Sequence, residues 1–306
     1  MTYPFAFGVR IISTLSFDLL PQVQADGPAV LFELGRTRVL PPAAGELENA
    51  YYAQGRLMEI YLGEDSLRAV IVDRLCFDLC FRTNTVRCLT LGEVSDDLVR
   101  YWFLQQILPI LLLLNGSTEL LHATAIRVDF GHNGEEGAVG FLGRSGIGKS
   151  TLLNYCLEQG CDLITDEHLA LERSRMHEAV PSVPFYRPYR SLEDLGIRAP
   201  RFAERPVPLK RLYLLDPDTA DAPVKTERLS DPETISAVLL NSQYSLFSRT
   251  APQTRPILAR RFAGLADLTR KVPVRRLRVP RSMHRLPDVY QFIQNDLLSS
   301  HKESAS

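Results

Sequence analysis

The chain opens with short runs in which apolar and polar positions alternate. Ala29–Leu34, Leu57–Leu62, Leu67–Asp73 and Leu75–Arg82 read as strands separated by turn residues, so residues 1–94 are predicted to form a β-rich region. The pattern then lengthens. Ser95–Asn115 reads as helix, with Ser95 as N-cap ahead of Asp96 and Asp97. Its apolar part, WFLQQILPILLLLNG, is too short for a membrane span and is broken by two glutamines and Pro109, which predicts a buried helix kinked near the proline. ELLHATAIRVDF alternates as a strand, GHNGEEG is a polar turn, and Ala138–Leu142 is a short buried strand.

Beyond it, Thr151–Gln159 has helical spacing and Gly160 stops it. CDLITDEHLALE reads as a strand carrying an acidic pair. VPSVPFYRPYRSLEDLG is proline-rich and irregular up to a helical turn at Leu192. RLYLLD and VRRLRV are strands. Asp231–Phe247, Ile257–Leu268 and LPDVYQFIQNDLL are helices. The pattern therefore divides into 1–94, a second domain over 95–298, and a polar tail, 299–306, predicted to be disordered.

The strand–helix junction at 143–151 carries the clearest chemistry. Gly143, Arg144, Ser145, Gly146, Ile147, Gly148, Lys149 and Ser150 fit G-x-x-x-x-G-K-[ST], between the strand and the helix that this motif requires. Glycines let the backbone turn its N–H groups inward, and a helix N-terminus adds partial positive charge. Lys149 is expected on the β- and γ-phosphates, the Ser150 hydroxyl on Mg²⁺, and Thr151 packed behind it. The implied ligands are ATP and Mg²⁺.

A metal on phosphates needs a nearby carboxylate. Asp166 and Glu167 end the next apolar run, one short helix after Lys149, which predicts a strand end beside the loop. One acid suits Mg²⁺ and the other suits proton abstraction from an attacking hydroxyl; a solvated turn is the alternative. His122, inside LLHATAI, is either a satisfied core histidine or, if its strand pairs beside the loop strand, a neighbour of the γ-phosphate.

Composition narrows the classes. Hydrophobic residues make up 45% and charged residues 23% of the 306 positions, as in an ordinary globular protein. A formal net charge of −1 gives no global field for nucleic acid. Cys76, Cys80, Cys88, Cys156 and Cys161 are odd in number and read as free thiols, a zinc site from the first three being the weaker alternative. The N-terminus lacks the basic region of a signal peptide, so the expected location is the cytoplasm, without a membrane partner.

LHATAI, GFLGRSGIGKSTLL and CDLITDEHLAL together resemble the HPr kinase/phosphorylase superfamily. RPYRSLEDLG, LKRLYLLD and VPVRRLRVP look like segments of its relatives encoded with ribosomally made peptides, including the lasso-peptide precursor kinases. The likeness spans roughly residues 95–295. It implies an α/β fold with a phosphoenolpyruvate-carboxykinase-like P-loop core and a smaller β-rich N-terminal region. It also implies Asp166 as general base, Glu167 at the second acid position, and His122 beside the γ-phosphate. Three departures separate the chain from HPr kinases proper: Arg144 replaces an acid, Thr151 replaces a glutamate, and Glu167 replaces an aspartate. They favour the peptide-tailoring branch over reversible phosphorolysis.

The expected activity is transfer of the γ-phosphate to a serine-type hydroxyl of a peptide or protein. The lasso-type C-terminal residue is the acceptor that the resemblance implies. A small hydroxyl compound such as free serine remains open, as does a non-catalytic nucleotide switch. From Arg249 to Arg285 the chain holds about eleven basic residues and one acid, Asp267. One reading is a lid that helps hold ATP and stabilises charge during transfer, and another is a groove in which Arg261, Arg275 and Arg276 read a substrate carboxylate, against the alternative of a solvated face. Composition leaves a homo-oligomer open.

Overall fold

The computed structural model describes residues 2–24, 27–41, 46–130, 135–188, 192–242 and 254–304. The chain is a mixed α/β protein that divides into two compact units. The first comprises residues 1–119, 189–196 and 244–261; the second comprises 120–188, 197–243 and 262–306. The boundary lies at 119/120 instead of the expected 94/95.

Among the described residues the first unit is built on nine strands: β1 (Tyr3–Ala6), β2 (Val9–Ser13), β3 (Gln22–Val23), β4 (Ala29–Thr37), β5 (Glu46–Ala53), β6 (Arg56–Leu62), β7 (Ser66–Ile71), β8 (Leu75–Cys80) and β9 (Thr85–Leu91). Their order in the sheet is β3-β1-β2-β4-β9-β8-β7-β6-β5. The helical stretch belongs to this unit because its aromatic face packs on the sheet. The Phe103 ring lies 4.4 Å from Phe32 and 5.4 Å from Phe17. Helix α1 (Asp96–Trp102) starts as predicted, with the Ser95 hydroxyl accepting from the Leu98 N–H. A π turn, Phe103–Ile107, separates it from α2 (Leu108–Leu114). Pro109 has no N–H and crowds the carbonyl four residues back, and the wider turn just before it relieves that crowding. By length and apolarity Asp96–Leu114 could cross a membrane, but 78% of its most apolar window is buried inside the protein.

The second unit is a sheet with helices on both faces. Its strands are β10 (Thr118–Phe130), β11 (Glu135–Leu142), β12 (Asp162–Thr165), β13 (His168–Glu172), β14 (Glu178–Val180), β15 (Phe185–Tyr186), β16 (Ile197–Arg198), β17 (Val207–Asp218), β18 (Lys225–Arg228) and β19 (Val274–Pro280). Strands β11, β17 and β19 are parallel neighbours. β10 is antiparallel to both β11 and β12, and β15 and β16 form a separate two-residue ladder. The helices are α3 (Lys149–Glu158), α4 (Asp231–Asn241), α5 (Arg255–Lys271) and α6 (Leu286–Ser304), α5 crossing the unit boundary at 261/262.

Side-chain parity along β17 splits the core in two. Leu212 joins Val238 of α4 and Leu265 and Leu268 of α5. Tyr213 and Leu215 join Leu153 and Cys156 of α3 and Ile293 of α6 on the other face. Both strand faces are therefore apolar, as a helix-covered parallel sheet requires. Asp296 fixes α6 from the side: it pairs with Arg211, accepts from the Tyr213 hydroxyl at 2.5 Å and pairs with Arg275 at 2.7 Å.

Several expectations shift. CDLITDEHLALE is two strands, β12 and β13, and the acidic pair forms the turn between them. α4 ends at Asn241; residues 243–253, including the end of its predicted extent, lie outside the described set. At Leu192 the chain makes a non-helical turn, with Glu193 at φ +54°. α6 continues to Ser304, well into the tail expected to be disordered, and 305–306 lie outside the described residues. All five cysteines are free, and burial pushes the Cys76 thiol up to about 11.

In the first unit, Arg261 and Glu119 form an ion pair whose side chains are both 0% exposed, at 2.8 Å. Removing one partner of such a pair strands a buried charge. Arg261→Ala is therefore expected to destabilise by about 3–5 kcal/mol. The double replacement of Glu119 and Arg261 by methionine should recover most of that loss. Urea unfolding of wild type and of the two variants measures both effects.

Candidate functional site

The site forms where β11 runs out. Leu142 is the last buried strand residue, and within six residues the chain must turn and start α3. Gly146 (φ +81°) and Gly148 (φ +111°) make that turn in a conformation that L side chains rarely adopt. A Cβ at either position would meet no atom within 4 Å, so the requirement there is backbone conformation and not space. Arg144, Ser145 and Gly146 are exposed, Ile147 is half-buried, and the loop tip is closed by the Ile147 N–H donating to the Arg144 carbonyl at 3.2 Å. α3 begins at Lys149, so its first amides face the loop.

Lys149 is only 7% exposed, and its Nζ donates to the Gly143 carbonyl at 2.6 Å and to the Arg144 carbonyl at 3.3 Å. The ammonium thus sits inside the curl of the loop. Ser150, one residue on, places its hydroxyl 3.5 Å from Asp166 Oδ1. Thr151 is exposed, which corrects the expectation that it packs behind Ser150.

The acid turn reaches this point through the sheet. Ala125 of β10 lies opposite Gly140 of β11 on one side and Thr165 of β12 on the other. β12 is thus next after the loop strand in sequence along this side but separated from it in the sheet by β10. Both strands run antiparallel to β10, so their C-terminal ends share one edge. The turn itself is tied by Thr165, whose hydroxyl donates to the His168 carbonyl at 3.0 Å and accepts from the His168 N–H at 3.1 Å. The Ala123 N–H donates to the Glu167 carbonyl at 3.1 Å, which lays the turn against the residue after His122.

The two acids differ electrostatically. Burial raises Asp166 above the ordinary carboxylate value, opposed by the Arg187 N–H, the Arg187 charge and the Ser150 hydroxyl. Burial acts on Glu167 too, but His168 and the charges of Arg187 and Lys149 outweigh it and hold its carboxyl below the ordinary value. Burial, followed by the Lys149 charge, lowers His122 to about 4, with Glu167 pulling the other way. His122 is therefore neutral at pH 7, a hydrogen-bonding side chain and not a cation.

Three residues of the site escaped the sequence reading. Arg187 pairs with Glu167 through its guanidinium, while its main-chain N–H donates to Asp166 Oδ2 at 2.7 Å. Asn241 accepts from the Gly143 N–H at 2.9 Å and donates to the Ala237 carbonyl at 2.8 Å, joining the loop to the last turn of α4. Asn241 had no local signal, and Arg187, although it opens the RPYRSLEDLG segment, reaches the acids from a distant part of the chain. Asp216 did have one: it closes LYLLD on a strand parallel and adjacent to the loop strand. It lines a groove of about 800 Å³ with His122, Gly143, Arg144, Ile147 and Arg276.

The three arginines expected to read a substrate carboxylate are not brought together. Arg261 is fully buried against Glu119, and Arg275 is bound to Asp296. Arg276 alone reaches the groove, and three carboxylates already surround it: Glu233 at 3.2 Å, Glu227 at 3.8 Å and Asp216 at 3.9 Å. Among the described residues, no group of three or more His, Cys, Asp or Glu could hold a metal. Ser150, Asp166 and Glu167 are hard oxygen donors of the kind Mg²⁺ uses when phosphates and water complete its shell.

A raised carboxyl has a cost whose sign is fixed. Folded Asp166 holds its proton to higher pH than the unfolded chain does, so stability falls as pH rises from about 3.8 through the folded value. Asp166→Asn keeps the shape and an oxygen for the Arg187 N–H. The ligand-free variant is expected to gain stability relative to wild type between pH 4 and pH 7, as read by denaturant titration at both values. Neither a protein-family model nor a curated protein sequence matches this chain.

Proposed function

We propose that the protein is an ATP-dependent phosphotransferase acting on a serine-type hydroxyl of a peptide or protein. The observation that carries this reading is the meeting of three parts at one sheet edge: the glycine turn with buried Lys149, the Ser150 hydroxyl at the start of α3, and the acid turn 3.5 Å from it. A loop that only bound nucleotide would need one carboxylate for Mg²⁺, whereas this turn supplies two whose acidities are shifted in opposite directions.

In this reading the loop amides and Lys149 take the phosphates of ATP, Lys149 leaving the carbonyls it now caps. Ser150 with Asp166 or Glu167 would hold Mg²⁺, which when bound neutralises phosphate charge. Asp166 accepts the proton of the acceptor hydroxyl. The hydroxyl oxygen bonds to the γ-phosphorus, and the bond from that phosphorus to the β–γ bridging oxygen breaks, leaving ADP. Neutral His122, on the strand between loop and acids, orients the transferring group by hydrogen bonding. Such chemistry needs positioning and charge more than covalent help, which suits a rigid sheet edge. This core is then of the P-loop, phosphoenolpyruvate-carboxykinase-like type that the sequence resembles. Recognition of a C-terminal carboxylate by Arg261 and Arg275 is withdrawn, since both are committed to internal acids.

Mass spectrometry of peptides carrying internal or C-terminal serine, and of free serine, after incubation with Mg·ATP tests the reading. Lys149→Ala should abolish transfer and weaken ATP binding. Asp166→Asn should retain ATP binding and lower transfer by about 10²–10⁴-fold. ATP binding by wild type with no transfer to any acceptor would replace the kinase with a nucleotide switch. Full transfer by Asp166→Asn would remove Asp166 as the base.

A further inference from the structure

Phosphoryl transfer concentrates negative charge on the γ-phosphate, and a guanidinium is the usual side chain that meets it. The basic stretch near the C-terminus looked like its source, but Arg261 and Arg275 are bound elsewhere and Arg276 is ringed by acids. The acid turn does hold a guanidinium. Arg187 is anchored at its main chain by the 2.7 Å bond to Asp166 Oδ2, and Asp166 in turn reaches Ser150 at the first turn of α3. Its side chain, 14% exposed, pairs with Glu167. Arg144, the arginine of the loop itself, is exposed to water, where its charge is screened.

Resting on the kinase reading above, we propose that Arg187 is the γ-phosphate-binding arginine of this site, paired with Glu167 until the nucleotide arrives. Three features support the exchange. The fork of a guanidinium fits a phosphate as well as a carboxylate, and phosphate carries more charge. A largely desolvated arginine is costly to leave unpaired, so Glu167 is the partner that holds Arg187, 14% exposed, in place when no phosphate is present. The anchoring N–H is independent of the guanidinium, so the side chain can change partner while Asp166 stays fixed. Lys149 shows the same logic at the other end of the site, where loop carbonyls occupy an ammonium in the position phosphates would take. Arg187 is thus assigned contact with the reacting phosphoryl group, whereas a purely structural Arg187 would do no more than neutralise Glu167.

The two roles differ in what they do to nucleotides with and without a γ-phosphate. Calorimetric titration of wild type and Arg187→Ala with Mg·ADP and with the non-hydrolysable Mg·AMP-PNP separates them, with no need of turnover. The expected result is a loss of about tenfold or more for Mg·AMP-PNP and less than about threefold for Mg·ADP. Equal losses for both nucleotides, or none for either, overturn the proposal. If Arg187→Ala does not fold, Arg187→Lys and Arg187→Gln give the same comparison: lysine should keep part of the preference for AMP-PNP and glutamine should lose it, and an unchanged preference in glutamine overturns the assignment. Failure of wild type to bind either nucleotide would instead refute the kinase reading itself.

Discussion

The hydrogen-bond register of β10 is what the candidate site rests on. This strand pairs with β11 on one side and β12 on the other, and a single residue, Ala125, faces Gly140 and Thr165. The glycine loop starts three residues beyond Gly140, and the acid turn starts one residue beyond Thr165. A shift of one residue in either pairing would reverse which side chains face each core and would pull Ser150 away from Asp166. Small residues at the contact help to fix it. A Cβ at Gly140 would come within 2.6 Å of Leu212 on β17, so the close packing of three strands depends on its absence.

From that register the chemistry is assembled with little else. The turn from β11 to α3 points the first helix amides and an ammonium to one spot. The turn from β12 to β13, closed by Thr165, points two carboxylates to the same edge. Burial and neighbouring charge then drive those carboxylates apart in acidity, Asp166 upward and Glu167 downward. Groups of one chemical type thus differ in acidity because their surroundings differ. Arg187 and Asn241 stand at the two flanks, one holding the acids and the other holding the first amide of the loop.

Sequence reading found the pieces that are local. The glycine spacing, the strand before it and the helix after it all obey short-range rules of backbone conformation, so they were legible without any partner. The N-cap at Ser95 and four strands of the first unit, β4, β6, β7 and β8, were legible for the same reason. The acidic pair was singled out as candidate chemistry but misplaced as structure: in CDLITDEHLALE apolar residues flank TDEH on both sides, and a short polar break does not by itself separate a turn from one continuous strand. The side chain that closes that turn, Thr165, is unremarkable by itself. The helix over 96–114 was read correctly as buried, yet assigned to the wrong unit, because the residues it packs on, Phe17 and Phe32, lie far away in the chain.

The basic segment taught the opposite lesson. Eleven positive residues in a row of segments suggested a surface for an anionic ligand, but charge along a sequence says nothing about which acids fold against it. Glu119, Asp296 and Glu233 come from a strand and two helices elsewhere, and each takes up one of the candidate arginines. By itself the sequence determined the loop, its flanking elements and the types of residue available for chemistry, since backbone conformation and residue type are properties of neighbouring positions. Only the tertiary structure decided which charges are paired, which acid is raised, and that Arg187 stands at the acid turn. Those outcomes depend on burial and on approach between segments tens of residues apart, which no local pattern encodes.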